Sequence, residues 1–488
     1  MTILGIKSFF WENKTTKQTI FKNTFWLGIS GGISQFLRFI LLIYVAKILG
    51  ATEYGKFTFA LAFVTLFIIF AQFGLSIITT RELAREKEKE KEFSAILSLK
   101  ILLSLGTFLL IFIGSFFITS EPVVQKLIWI LAICSLAGSF SSIIHAFLQA
   151  RQKMEYQSLA SIFEALILTG AGLFILFNFP SVENLSYVYL FASLIALIFL
   201  LVFFHFKIQQ LSLSWNKSTW KRLLLMSWPL AMVGVLSTIY TQIDSIMMGY
   251  LGQITQTGWY NAAYRITWLT MIPIGLISTS FFPVLSKTLK ESKEKLQKIW
   301  NNYIEIMILL AIPVVVGGIV LAPKIVEFIY GSSYNPSVLA FQILIVMTGI
   351  IFLCSPFNQV LIVSDQQKKL FWSVLLGAII NIILNLILIP KFSLYGAAFA
   401  TVITHLLVFY LLFKFTLKFT AIKPFTSRFL LIFTGIIFSS AVMYFVIIQP
   451  QIYHLHILLS ILIGAAVYFG TFFVLKFMLK YFYTPLRH

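Results

Sequence analysis

The sequence predicts an all-α integral membrane protein with about fourteen transmembrane helices. Three observations carry this reading. Of its 488 residues 59% are hydrophobic and 11% charged, where soluble domains run at roughly a quarter charged, and the mean hydropathy is +0.93. Apolar runs of about twenty residues or more recur along the chain, without the alternation of a barrel strand. Lysine and arginine accumulate in alternate loops between those runs. In lipid every backbone N–H and C=O needs a partner inside the protein, and runs of this length satisfy that need as helices.

The runs place spans at 24–49, 57–80, 93–118, 124–149, 157–178 and 185–206. A polar stretch follows, then spans at 225–250, 258–283, 300–322, 337–363, 370–389 and 394–414. A terminal hairpin occupies 427–448 and 455–478. The division is a cytoplasmic segment 1–23, an N-terminal set of six helices over 24–208, a linker 209–224, a second set of six over 225–415, and a final pair with tail over 416–488. The first span carries Arg38 and no small-residue cleavage site, so it reads as an uncleaved helix.

Orientation follows from the basic residues. Of the 37 Lys and Arg, 29 fall on the side of the N-terminus and only Lys56, Lys126, Lys324 and Lys391 on the other. The alternation places both termini in the cytoplasm. It also explains the net charge of +20 without nucleic acid, since no aromatic-interleaved basic patch is present. The mixed run RELAREKEKEKE at 81–92 reads as a solvated cytoplasmic extension of a helix.

The first six spans echo in the next six. Tyr54-Gly55 and Gly258-Trp259-Tyr260 follow spans 1 and 7, charged inner loops follow spans 2 and 8, and Gln152-Lys153 and Gln367-Lys368 follow spans 4 and 10. Transporters built from such repeats place substrate between the halves.

Several chemistries are excluded or unsupported. Only two aspartates are present, Asp244 and Asp365, so neither a DxD motif nor a paired-aspartate prenyl site exists. The chain has no phosphate loop and no HExxH, and Cys134 and Cys354 stand singly in apolar runs; neither a metal site nor a cofactor is expected. Short external loops do not favour an enzyme. An integral-membrane glycan polymerase or ligase is the alternative from that class.

Charges inside the spans are the candidate site residues, because a charge at mid-bilayer costs about 2.5–3.5 kcal/mol on insertion scales. Arg38 shares a helical face with Gln35, Ser34 and Gly31, a polar stripe suited to a cavity or to a structural ion pair. Arg265 lies about two turns inside span 8, facing a cavity or snorkelling to the interface. Asp244, with Thr241, Tyr240 and Ser237 on its face, reads as a pairing partner for Arg38 or Arg265, or as a proton or sodium site. Glu164, with Ser161 and Gln157, is a second coupling or charge-pairing candidate. Asn381 and Asn385 suit hydrogen bonding between helices, and Pro229, Pro273, Pro313 and Pro356 suit bends.

AKILGATEYGKFTFA at 46–60, GLSIITTRELAR at 74–85, WPLAMVGVLSTIYTQIDSIMMGYLG at 228–252 and GWYNAAYRITWLTMIPIGLISTSFFPVLSK at 258–287 resemble polysaccharide flippases of the O-antigen type. Such proteins belong to the multidrug/oligosaccharidyl-lipid/polysaccharide exporter superfamily. The resemblance implies two six-helix lobes in a V around a central cavity, with two added C-terminal helices. It implies transport of an undecaprenyl-pyrophosphate-linked oligosaccharide across the bacterial cytoplasmic membrane by alternating access. Membrane lipids and a polysaccharide polymerase are the further partners expected. Arg38 and Arg265, with Gln35 beside the first, would meet the anionic headgroup, since a guanidinium fork matches phosphate oxygens. An ion-coupled multidrug exporter of the same superfamily is the rival within transport.

Overall fold

The computed structural model describes residues 11–13, 15–86, 92–208, 210–420, 422–424 and 427–483. Lys7, Lys14, residues 87–91 of the charged run and Arg487 lie outside these, as do the side chains of Lys290, Arg428 and Lys480. Among the described residues the secondary structure is helical throughout, and twelve helices are long and apolar enough to cross a membrane. The chain is a multi-pass membrane protein.

Two of those twelve each carry two apolar runs. Helix α1 (Thr16–Gln72) has 57 residues, a length of about 86 Å at 1.5 Å per residue against a hydrocarbon core of about 30 Å. Gly50 interrupts it at φ 79 and ψ 173, a backbone state that glycine enters at no steric cost. Helix α12 (Gln367–Phe419) has 53 residues and breaks at Ser393 (φ 52, ψ −132), three residues after Pro390. We propose that each break is a turn between two spans, which brings the crossings to about fourteen.

The chain divides into two compact units, residues 1–258 and 259–488, each taken by itself. The first opens with α1, capped by Thr15, whose side chain accepts from Gln18 N; the helix thus begins eight residues before the apolar run. It ends at Phe73 and Gly74, both in the left-handed region (φ 44 and 68), and α2 (Leu75–Arg85) follows. This break falls inside the run read as span 2. It is stabilised by Lys100 of α3 (Phe93–Ile118), fully buried, whose Nζ donates to Ala71 O at 2.7 Å and to Ser139 Oγ. An ammonium at the negative end of a helix satisfies carbonyls the break would orphan.

The unit continues with α4 (Pro122–Ala150), α5 (Met154–Asn178), α6 (Val182–Lys207) and α7 (Lys217–Tyr250). The stretch before α7 and the first turns of α7 are fastened to α2 and α3. Ser214 N donates to Ser94 O at 3.3 Å, Trp220 Nε1 to Ala95 O at 2.9 Å, and Arg222 pairs with Glu82 and Glu92. Helix α7 therefore groups with the first unit, and it starts inside the segment read as linker, with Asn216 capping Ser218 N and Thr219 N.

Helix α8 (Ile254–Thr270) leads into the second unit, followed by α9 (Ile272–Glu291), α10 (Lys293–Tyr330), α11 (Pro336–Val363), α12, α13 (Ser427–Ile447), a one-turn α14 (Pro450–Tyr453) and α15 (Ile457–Tyr483). Pro273 stands at the start of α9, so the run read as span 8 is two helices. Helix α10 contains Pro313 and Pro323. Each proline lacks the N–H that the carbonyl four residues earlier needs, and each orphan finds a side chain. Tyr468 of α15 donates to Leu309 O at 2.9 Å and Gln342 of α11 to Ile319 O at 3.0 Å. Tyr468→Phe is expected to destabilise the protein by about 1–3 kcal/mol by leaving a part-buried carbonyl unpaired. Thermal melting in detergent measures it, and an unchanged transition would mean that Leu309 finds another donor.

One construction occurs in both units. Ser76 and Ser142 join α2 to α4 at 3.0 Å; Ser278 and Ser355 join α9 to α11 at 2.7 Å. These contacts link spans 2 with 4 and 8 with 10, in keeping with the repeat seen in the sequence.

Candidate functional site

Spans 1 and 5 meet along a polar seam in the first unit. On α5 the residues Glu155, Ser158, Ser161 and Glu164 stand three apart, a row that winds around the helix by about 60° per step. On α1 they face Lys22, Ser30, Ser34 and Arg38 in the same order. Lys22 Nζ lies 2.9 Å from Glu155 Oε2, and Ser30 Oγ donates to Ser158 Oγ at 3.0 Å. Ser34 Oγ donates to Ser161 O at 3.2 Å, and Arg38 Nη2 reaches Glu164 Oε1 at 3.1 Å.

The two ends of the seam differ. Lys22 and Glu155 are buried, and Lys22 has a second acceptor in Gln152 O at 3.2 Å. Gln152 turns the chain between α4 and α5 at φ 56, and Asn23 donates to its side chain. Desolvation makes such a pair costly unless its remaining hydrogen bonds are met, and here the corner carbonyl helps to meet them. At the other end the side chains of Arg38 and Glu164 are 44% and 29% exposed. Gln35, one turn from Arg38, is exposed as well.

The carboxylate that answers Arg38 is thus Glu164, not Asp244; the two coupling candidates separate. Asp244 is buried at 5% in α7 with Ser245 beside it. Arg265, in the second unit, is half-buried and has no hydrogen bond or ion pair with a described residue of that unit. Asn385 Nδ2 donates to Asn381 Oδ1 at 3.2 Å along α12. Cys134 and Cys354 are free thiols, and no group of described His, Cys, Asp or Glu is placed to hold a metal ion.

Sequence reasoning missed two features. The sequence places Lys22 in the cytoplasmic segment 1–23 ahead of the first span, whereas the structure buries it fully within α1 against Glu155; the recurrence of polar residues every three positions from Glu155 to Glu164 is the signal in the sequence. The second unit also holds an apolar cavity of about 310 Å³, lined by Thr270, Leu310, Pro313, Gly317, Gly464 and Phe469 among others. Its walls come from helices far apart in sequence, so no local pattern announces it.

Against known proteins, a family model described as polysaccharide biosynthesis protein matches residues 20–289, and one described as MatE matches 229–387. A Haloferax volcanii protein named "Probable low-salt glycan biosynthesis flippase" is 27% identical over 169 residues, 34% of this chain and 35% of that relative. The match thus spans about a third of that protein's length. A capsular polysaccharide biosynthesis protein of Staphylococcus aureus is 22% identical over 411 residues, 80% of this chain and 99% of its own. Among solved structures, the lipid II flippase MurJ in an inward closed conformation superposes with a TM-score of 0.75 at 19% identity, covering 91% of this chain and 97% of that one. At this identity the likeness is one of fold.

Proposed function

We propose, from the premise that the chain belongs to the family described as polysaccharide biosynthesis protein, that it is a flippase for a lipid-linked oligosaccharide. The observation that carries this reading is Arg38: a half-exposed guanidinium on a membrane-spanning helix, at the open end of a polar seam. A lipid chain can remain in the bilayer during transfer, whereas a sugar with an anionic linkage needs a polar route that offers cationic donors. The relatives named for flipping and for polysaccharide biosynthesis point to the same chemistry. The apolar cavity of the second unit offers a surface suited to an acyl or prenyl chain.

In its finer form the substrate is an undecaprenyl-pyrophosphate-linked oligosaccharide, moved outward across the bacterial cytoplasmic membrane with both termini in the cytoplasm. Arg38, Gln35 and Arg265 serve the headgroup, and Asp244 is the site for a coupling proton or sodium ion. Alternating access operates between the lobes read over 24–208 and 225–415. The match to the MatE model favours an ion-coupled multidrug exporter as the second reading.

One experiment separates the two. The purified protein is reconstituted in liposomes with undecaprenyl-pyrophosphate oligosaccharide, and headgroup accessibility to an external sugar-modifying reagent is followed with and without an ion gradient. Protein-dependent relocation of the unaltered lipid is the expected result. No relocation, with uptake of organic cations instead, would replace this reading by the exporter.

A further inference from the structure

The Arg38–Glu164 pair is under-coordinated. One hydrogen bond joins the two side chains, and neither makes another with a described residue. A guanidinium offers five N–H donors and a carboxylate about four acceptor positions, so most of the capacity of both groups is idle. An Arg–carboxylate pair kept only for structure gains most from the bidentate fork; here Glu164 Oε2 stays open. The rest of the seam contrasts with this. Lys22 has two acceptors and no exposure, and Ser30 and Ser34 are bonded across to α5.

An open carboxylate beside an anion-binding arginine is unfavourable if the ligand is only an anion, because like charges a few ångströms apart repel. The arrangement suits a ligand that brings acceptors and donors together. In a sugar pyrophosphate the anomeric carbon carries the phosphate and its one carbon neighbour, C2, carries a hydroxyl or amide donor, so both kinds of group lie within a few ångströms of each other. Arg38 and Glu164 present the complementary set at 3.1 Å. From the other helices packed against α5, Cys134 of α4 is the titratable group near the pair. The charged residues of α6, namely Glu183, His205 and Lys207, stand at that helix's ends.

We infer that Glu164 is the group that reads the first sugar: its open oxygen accepts from a saccharide hydroxyl or amide while Arg38 holds the adjoining pyrophosphate. The assignment rests on the flippase reading and deepens it. It makes Glu164 a specificity-determining residue that separates a glycosylated carrier lipid from the bare one. A bare lipid pyrophosphate would meet the repulsion of the carboxylate without the compensating hydrogen bond.

The test measures binding of two probes to the full-length protein in nanodiscs: undecaprenyl pyrophosphate, and the same lipid carrying one N-acetylglucosamine. The parent protein is expected to prefer the glycosylated probe by about tenfold, the worth of one charge-assisted hydrogen bond. Glu164→Ala should erase that preference by weakening the glycosylated probe relative to the bare one. Glu164→Gln, which keeps an acceptor without the charge, should retain a smaller part of it. A parent protein that binds both probes equally, or a preference that survives in Glu164→Ala, would overturn the inference. So would equal shifts for both probes in the two variants, the mark of a counter-ion to Arg38 alone. Failure of the parent to bind either probe would instead overturn the flippase reading on which the inference rests.

Discussion

Replacing Arg38 with alanine is expected to abolish relocation of the pyrophosphate-linked sugar while leaving membrane insertion and folding intact. The side chain is 44% exposed and makes a single bond, so its removal neither opens a core cavity nor strands a network. Glu164 remains, 29% exposed, where it can be hydrated. What disappears is the exposed cation of the seam, whose side chain spends one donor on Glu164 and keeps the rest for a ligand. Charge-assisted hydrogen bonds contribute about 1.5–3 kcal/mol each, so losing two or more to a pyrophosphate should lower affinity by at least about a hundredfold. Arg38→Lys keeps the charge without the planar fork and should retain partial transport. Both variants can be followed in the liposome relocation assay with insertion checked by size-exclusion profile. Normal relocation by Arg38→Ala would remove the residue from the site.

The largest structural effect is expected from a side chain at Gly55 or Gly258. A Cβ on Gly55 would stand 1.9 Å from Ile254 O, and one on Gly258 would stand 1.9 Å from Ala51 O. The obstacle in both cases is backbone, which cannot rotate aside. The hydroxyls of Thr52 and Thr255 meet at 2.8 Å in the same place, so the first helical turns after span 1 and after span 7 touch through matching residues. Overpacking a core ordinarily costs about 1–3 kcal/mol; Gly55→Val or Gly258→Val should exceed that by forcing the turns apart. The comparison is Gly106→Ala, where a Cβ meets nothing within 4 Å and melting should hardly change. A Gly55→Val protein that melts with the parent would show that the turns separate at little cost.

Each of these expectations draws differently on sequence and structure. The two glycines were visible as an echo between outer turns, because Tyr54-Gly55 and Gly258-Trp259 occupy matching places in the repeats. That they touch was not visible: contact depends on how residues about two hundred positions apart are brought together. Arg38 was legible for a similar reason. A charge in an apolar run, with Gln35, Ser34 and Gly31 at helical spacing, stands out in one dimension. Its partner did not, since both Asp244 and Glu164 are carboxylates on polar stripes, and only the adjacency of α1 and α5 selects between them. Lys100 shows the limit from the other side. Its burial follows from a break at Phe73-Gly74 that hydropathy passes over, because the residues on either side of it are equally apolar.

The sequence by itself determined the membrane class, the approximate spans, the side on which basic residues collect and which in-span charges need an explanation. These rest on quantities that accumulate locally along the chain: run length, transfer cost and loop charge. Only the tertiary structure decided that Glu164 answers Arg38, that Lys100 caps a broken helix, that Tyr468 serves the carbonyl Pro313 leaves orphaned, and where the apolar cavity lies. Those depend on which helix lies beside which. A hydropathic pattern shows that a helix is embedded in lipid, but many neighbours can satisfy that same condition.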